Sequence, residues 1–436
     1  MNSASSALRI SVVEVDLPEG LEGLLPALNP STAWIREGTG LIGLGTAASA
    51  IAGGNDRFTQ LARFWDSLLA NSAEEAHTGP LAAFVSATFS ADSRYASHLV
   101  VPEVLIRQEQ NSSDTATVLI AAGSEGTDTQ EVLGRHGLRL RGSGNDENEG
   151  GCAQLVAIGD GRELPVTRVE PGAQSKRQHL SAVAAGLSAI EDRTVEKLVL
   201  ARDVVVASDG PLPVGTVLQR LAQAYPQTWT YLVGEVLGAT PEMLVRVRGA
   251  EVSSRVLAGT ISRSDDASGL VRDDKQHREH ELAVRSLLDG IAPLTESLQS
   301  PAEPGVLELP NVYHLVSDVT GTLAADESGK LPGALAVAEA AHPTAAVCGT
   351  PTTPAAQLIA QLEAADRGPY AGPVGWLDAA GNADFGIALR GGVLEDQHRL
   401  RLFAGGGVVA GSEPEVELAE TEIKLAPMLT ALGLND

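Results

Sequence analysis

Arg390 closes the apolar run DFGIALR, where the fold alone would be served as well by a hydrophobic residue. A guanidinium drawn into such a run is costly unless it meets a carboxylate or phosphate, so it points to an anionic small molecule. Lys197 opens KLVLARDVVV. The plainer reading is a lysine solvated at a strand start. The chemical one is a lysine desolvated in a pocket, its pKa lowered toward general-base work. Glu242, in ATPEMLVRV, follows Pro241 and precedes an apolar strand. It is either a turn carboxylate or a buried carboxyl kept protonated as a general acid. Lys197 and Glu242 would then be base and acid on opposite faces of one substrate.

Glu279 and Glu420 each sit on a helical segment, away from its main apolar stripe. In Pro414 to Leu432 that stripe is Leu418, Leu425, Leu429 and Leu432, with Glu417, Glu420 and Lys424 projecting elsewhere. Glu420 and Lys424 have i,i+4 spacing, worth ~0.3–0.5 kcal/mol as a surface ion pair. The sharper alternative has Glu279 and Glu420 converging on Mg²⁺, which takes a few carboxylates plus water and an anionic ligand. Spacing leaves both readings open, because it does not bring two helices together.

Other motifs carry less. Gly38 to Gly43 matches GxGxxG, but Gly43 and Gly45 break the helix that a dinucleotide fingerprint needs. AGGGVVAGS (Ala404 to Ser412) lacks the Lys-Ser/Thr end of a P-loop. His277 and His280 lack HExxH spacing and a neighbouring cysteine cluster, and there is no Gly-x-Ser-x-Gly elbow.

The elements that must position these residues follow from periodicity. Strands are expected at Ile10 to Val15, Trp34 to Leu44, Leu81 to Phe89, Lys197 to Val206, Trp229 to Val236, Met243 to Arg248 and Val312 to Val319. Further strands are Val374 to Leu377, Phe385 to Arg390 and Arg399 to Ala404. Helices are expected at Arg57 to Leu69, from Gln174, and at Leu212 to Tyr225, Asp274 to Ile291, Ala355 to Ala365 and Pro414 to Leu432. RGSGNDENEGG (Arg141 to Gly151) reads as a mobile loop. Strands outnumber crossover helices, which disfavours a purely parallel sheet and favours one large α+β unit. Residues 1–150 are its motif-poor half and residues 151–436 its catalytic core.

The formal charge of −25 disfavours nucleic acid and anionic membranes as partners. A cation in the site would offset that field for an anionic substrate. No apolar run approaches the ~20 residues of a membrane span. The N-terminus lacks the pattern of a signal peptide. Cys152 and Cys348 cannot form a disulfide framework. The expectation is a monomeric cytoplasmic enzyme acting on a small molecule.

The ordered set KLVLAR, TPEMLVRV, SSRVLAGTISR, REHELAV, YHLVSDVTGTL, HPTAAVCGTP, RGPYAGPVGW, GIALR, LFAGGGVV and ELAETEIK resembles the isochorismate synthases of the chorismate-binding superfamily. The motifs are dense from Glu196 to Lys424, whereas the first 150 residues contribute only WIREGTGLIGLG and GPLAAFVSATFS. The resemblance implies two stacked, largely antiparallel β-sheets flanked by helices, with the active site between halves. It implies chorismate as substrate, converted to isochorismate for menaquinone or catecholate siderophore synthesis. It makes Lys197 the base activating water for attack at C2, and Glu242 the acid protonating the departing C4 hydroxyl. Glu279 and Glu420 become Mg²⁺ ligands, with Glu417 helping through water. Arg390 and Lys424 bind substrate carboxylates, His314 lies near the ring and leaving group, and Gly259, Thr260 and Gly405 form pocket walls.

Within the superfamily, members using ammonia generally carry glutamine at the position of Lys197, and the tryptophan-sensing LLES signature is not found. Ala346-Val347 keeps an apolar wall associated with stopping at isochorismate; the rival is a salicylate synthase that also releases pyruvate. Two positions depart from the family pattern: Gln276 stands where Asp is usual, and Asp384 where Glu is usual. Both departures bear on metal affinity, and Asp384 also on contacts to Arg390.

Overall fold

Apolar alternation sorts the chain into two layers. In Thr32–Arg36, Trp34 joins the core between two sheets, while Ala33 and Ile35 join a second core under the helices on the outer face. A one-residue shift of register would exchange these faces, so burial fixes the pairing. In this computed structural model, residues 8–72, 81–109, 114–122, 128–142, 152–263, 270, 273–308 and 312–434 are described. Among them a 14-stranded and a 10-stranded sheet pack face to face. Every described strand pairing is antiparallel except that of Arg9–Asp16 with Ala153–Ala157. Trp34, Phe84, Tyr231 and Trp376 fill the space between the sheets. Each fully buried aromatic or aliphatic side chain contributes ~1.5–3 kcal/mol relative to exposure. This is the expected α+β architecture.

Both sheets draw on both ends of the chain. Thr32–Arg36 pairs with Trp229–Val233 in the larger sheet, and Ala82–Ser86 with Pro373–Asp378 in the smaller. Several expected elements differ in detail. Trp34 to Leu44 is a hairpin of Thr32–Arg36 and Thr39–Leu44, turned at Glu37 (φ 52°) and Gly38 (φ 77°). Two consecutive positive φ values make this a tight hairpin turn of the kind that suits strand twist. The GxGxxG glycines are thereby explained: a Cβ on Gly40 would lie 2.0 Å from the Trp34 carbonyl oxygen. Trp229 to Val236 likewise divides into Trp229–Val233 and Val236–Thr240. Beyond residue 142, the Arg141 to Gly151 loop lies outside the described residues.

Six elements carry the site and are labelled in chain order: β1 (Lys197–Ser208), β2 (Glu251–Ser262), α1 (Asp274–Ile291), β3 (Val312–Leu323), β4 (Arg399–Val409) and α2 (Pro414–Ala431). β1 pairs with β4 in the large sheet, placing Val199 opposite Gly407 and Ala201 opposite Gly405. β2 pairs with β3 in the small sheet, placing Thr260 opposite His314. β2 was not expected: its polar run SSR and the glycine before Thr260 break the alternation that marks a strand. Among the described residues no helix is long and apolar enough to cross a membrane.

Candidate active site

Strand period places Lys197 and Val199 on one face of β1, toward the seam between the sheets. There a cavity opens, lined by residues of β1, β2, β3, β4, α1, α2 and the loops around them. Of the residues expected to act, Glu242, Gly259, Thr260, Glu279, His314, Ala346, Arg390, Gly405, Glu420 and Lys424 all line it. Lys197 and Glu417 are not among its lining residues and stand one layer behind.

Glu242 is 4% exposed. Burial pushes its carboxyl up to about 8, against the opposing pull of Lys197, a Leu257 backbone hydrogen bond, Lys424 and Arg390. Desolvation therefore wins over several nearby cations, and Glu242 holds a proton at neutral pH. It can give that proton away.

Lys197 is fully buried, and its Nζ lies 3.0 Å from Glu279 Oε1. The contact is an ion pair without hydrogen-bond alignment, since Nζ has no hydrogen-bond partner among the described residues. Gly407 lies over the pair: a Cβ there would stand 2.1 Å from Glu279 Oε1 and 3.2 Å from Lys197 Cε. Glycine is required here by close approach, not by φ.

α2 sets Glu417, Glu420, Thr421 and Lys424 at i, i+3, i+4 and i+7, on the face packed over β4. The buried stripe of α2 differs from expectation. It runs through Glu417, Thr421, Leu425 and Met428, whereas Leu418 and Leu429 are only partly buried. Lys424 donates to the Gly405 carbonyl oxygen at 2.8 Å and pairs with Glu420. Glu417 pairs with Lys275 at 3.3 Å, while its Oε2 is buried with no hydrogen bond among the described residues. Burial, then the like charge of Glu420, pushes the Glu417 carboxyl up to about 7; Lys275 opposes and Glu279 adds to the rise.

These three carboxylates suit a hard, oxygen-seeking cation. Glu417 Oε2 and Glu420 Oε1 lie 3.0 and 3.7 Å from a Cβ placed on Gly406, and Glu279 Oε1 borders the adjacent Gly407. Among the described residues, however, no three carboxylate, imidazole or thiol groups form a metal cage in the arrangement seen. Each glutamate is turned to its own lysine. A complete cage is not what Mg²⁺ asks for, since it keeps several waters and takes one or two carboxylates beside its anionic ligand.

Arg390 is not the last residue of its strand, which ends at Ile387. It lies in the following turn at φ 50°, a left-handed conformation that is uncommon outside glycine. The Tyr231 hydroxyl supports this turn by donating to the Leu389 carbonyl at 3.0 Å. Arg390 NH2 stands 3.1 Å from His314 Nε2. A guanidinium only donates, so Nε2 is bare and Nδ1 carries the ring proton. His314 Nδ1 then donates to Thr260 Oγ1 at 2.9 Å, leaving the hydroxyl's own proton free for the cavity. Burial, then Arg390 and Lys424, hold His314 well below the usual histidine range, so it stays neutral.

Sequence reasoning missed Tyr370, which lines the cavity and stacks on Phe403 with ring centroids 5.0 Å apart. Burial raises its hydroxyl to about 12, so it remains a donor. Its only sequence signal is membership of RGPYAGP. The Asp384 departure falls elsewhere: its carboxylate accepts from Arg246 at 2.8 and 3.0 Å and from Arg248 at 2.7 Å, not from Arg390. His280 is structural, bonded to the Ala258 carbonyl at 3.1 Å and Ser317 Oγ at 2.8 Å.

The sequence matches the family described as chorismate binding enzyme over residues 30–433. Isochorismate synthase DhbC of Bacillus subtilis is 36% identical over 273 residues, covering 58% of this chain and 67% of that one. The salicylate biosynthesis isochorismate synthase of Pseudomonas aeruginosa is 32% identical over 426 residues, covering 93% and 85%. The structure of MenF, the menaquinone-specific isochorismate synthase from Escherichia coli, superposes with a TM-score of 0.73 at 23% identity, covering 99% of this chain and 96% of that one. The last likeness bears on the fold, the first three on descent: this chain belongs to the chorismate binding enzyme family.

Proposed function

We propose that the protein is an isochorismate synthase that moves the hydroxyl of chorismate from C4 to C2. The observation carrying this reading is Glu242: a buried carboxyl that keeps its proton at neutral pH, facing a cavity whose other groups include Arg390, Lys424 and carboxylates. Relatives named isochorismate synthases at 32–37% identity support the same reaction.

The steps balance. Lys197 takes a proton from water as its oxygen bonds to C2, both ring double bonds shift in turn (C1=C2 to C1=C6 and C5=C6 to C4=C5), and the C4–oxygen bond breaks. Glu242 protonates the departing hydroxyl, which leaves as water, and the proton on Lys197 restores Glu242 through solvent. Acid and base acting across one substrate supply proximity as well as proton transfer. Arg390 and Lys424 bind carboxylates of the substrate, and Thr260 offers its free hydroxyl proton. The apolar wall at Ala346-Val347 gives no group for a further elimination of pyruvate.

Glu279 and Glu420 would hold Mg²⁺, with Glu417 acting through water. When bound, the ion supplies positive charge to a substrate carboxylate and offsets the acidic field of the protein. The role in the cell is menaquinone or siderophore supply in the cytoplasm, by a monomer.

The test is incubation of the purified protein with chorismate and Mg²⁺, with and without EDTA, and separation of products by HPLC. Isochorismate formed only with metal is the expected result. Salicylate with pyruvate would replace the reading by a salicylate synthase, and unconsumed chorismate would end it.

A further inference from the structure

Gln276 sits in the first turn of α1, one turn before Glu279, so it shares that helix face with a proposed metal ligand. Its side chain nevertheless turns away to β2. Its amide oxygen accepts the Thr260 backbone N–H at 2.9 Å. Only the oxygen can accept from an N–H donor, which fixes the orientation of the amide.

The recipient is an irregular piece of strand. The register of β2 on β3 slips between Ala258 and Thr260, and the residue between them, Gly259, has φ +80°. A bulge of this kind re-aims the side chain that follows it and disrupts the ladder locally. Gln276 packs tightly on that bulge, its backbone and side chain standing 3.1–3.3 Å from where a Gly259 Cβ would be. Gln276 is itself held, because Asp273 caps the helix and accepts its N–H at 3.2 Å.

Beyond Thr260 the contacts continue in one line: Thr260 Oγ1 to His314 Nδ1 at 2.9 Å, and His314 Nε2 to Arg390 at 3.1 Å. Both ends of that line, the Thr260 hydroxyl and the Arg390 guanidinium, face the cavity. We propose that Gln276 is a positioning residue for the substrate: its amide oxygen holds the Gly259–Thr260 bulge so that Thr260 and the His314–Arg390 pair present donors to an anionic group of chorismate. This rests on the proposed function for the identity of the ligand. Its departure from the usual aspartate is thus expressed in the pocket wall, through a neutral acceptor that adds no charge to a cavity already facing Glu242, Glu279 and Glu420.

Two variants of equal reach separate acceptor from bulk: Q276M keeps the length and loses the oxygen, whereas Q276E keeps both. Amide hydrogen exchange resolved to Thr260 is read in both, and steady-state kinetics with chorismate in Q276M. Loss of one neutral hydrogen bond should speed Thr260 exchange about tenfold in Q276M and leave Q276E protected. In Q276M the KM for chorismate should rise about tenfold, with kcat changed less than about threefold. Unchanged Thr260 exchange, or an unchanged KM, in Q276M overturns the proposal. Exchange that is equally fast in Q276E overturns it too, by making bulk or helix integrity the cause. A wild-type protein that ignores chorismate ends the functional reading and the substrate half of this one; Thr260 exchange still decides whether Gln276 holds the bulge.

Discussion

Lys197 Nζ and Glu279 Oε1 stand 3.0 Å apart behind the Gly407 backbone, and only the glutamate reaches the cavity. The proposed base is therefore neutralised by a proposed metal ligand. For Lys197 to receive a proton from water, Glu279 has to find another cation. The two roles are coupled through one ion pair, and removal of either partner of a buried pair typically costs ~3–5 kcal/mol.

Lys197→Ala should lower kcat ~10²–10⁴-fold, the usual contribution of a general base. Chorismate affinity, measured by calorimetry, should stay within about threefold, because the lysine does not line the cavity. The opposite split, weak binding with near-normal turnover, would reassign Lys197 to carboxylate recognition.

Gly407→Ala tests the geometry without removing a charged group. The added methyl would meet Glu279 Oε1 at 2.1 Å, the far end of a flexible side chain, so the sheet can survive while the pair is wedged apart. Turnover should fall at least about a hundredfold, with thermal stability reduced by the ~1–3 kcal/mol typical of overpacking. Near-wild-type turnover would show that Glu279 need not occupy this position.

That Lys197, Glu242 and Arg390 stand out from their surroundings was legible in the sequence, because each borders an apolar run. Convergence was not. Glu279 and Glu420 belong to helices separated by the strands β3 and β4, and no periodicity carries the distance between them. Glu417 shows the limit most plainly: the leucines of α2 outvote it as a stripe, yet it is 3% exposed while Leu418 is only partly buried. Short, small-residue elements were equally opaque. Ala334–Ala341 is a helix whose one charged residue, Glu339, is too little polar face to set a period. The family pattern makes Asp384 a contact of the metal or of Arg390, but strand alternation turns it to Arg246 and Arg248.

Glu420→Ala should raise the Mg²⁺ concentration for half-maximal activity by at least about tenfold. Loss of one charged ligand is worth well over 1 kcal/mol. Lys424 loses its partner at the same time, so chorismate affinity has to be measured separately. A Mg²⁺ titration superimposable on that of the wild type would remove Glu420 from the ligand set.

Glu242 provides a test that needs no metal. Its carboxyl is raised from 4.5 to about 8 by burial, so the acid form should persist through neutrality and be lost only above pH 8. Turnover limited by this acid should therefore fall about tenfold per pH unit above that point. The same shift makes a stability statement. Between about pH 4.5 and 8 the folded protein holds a proton that the unfolded chain has released. Stability must then decline with rising pH across that window, by about 1.4 kcal/mol per pH unit for the one group. Glu242→Gln abolishes the acid and removes this slope together, since the amide is neutral in both states. The expected outcome is an inactive protein whose unfolding free energy, measured in urea without metal from pH 5 to 8, declines less steeply than that of the wild type. Parallel stability curves would mean that Glu242 is ionised in its pocket, and the role of proton donor would pass to another group.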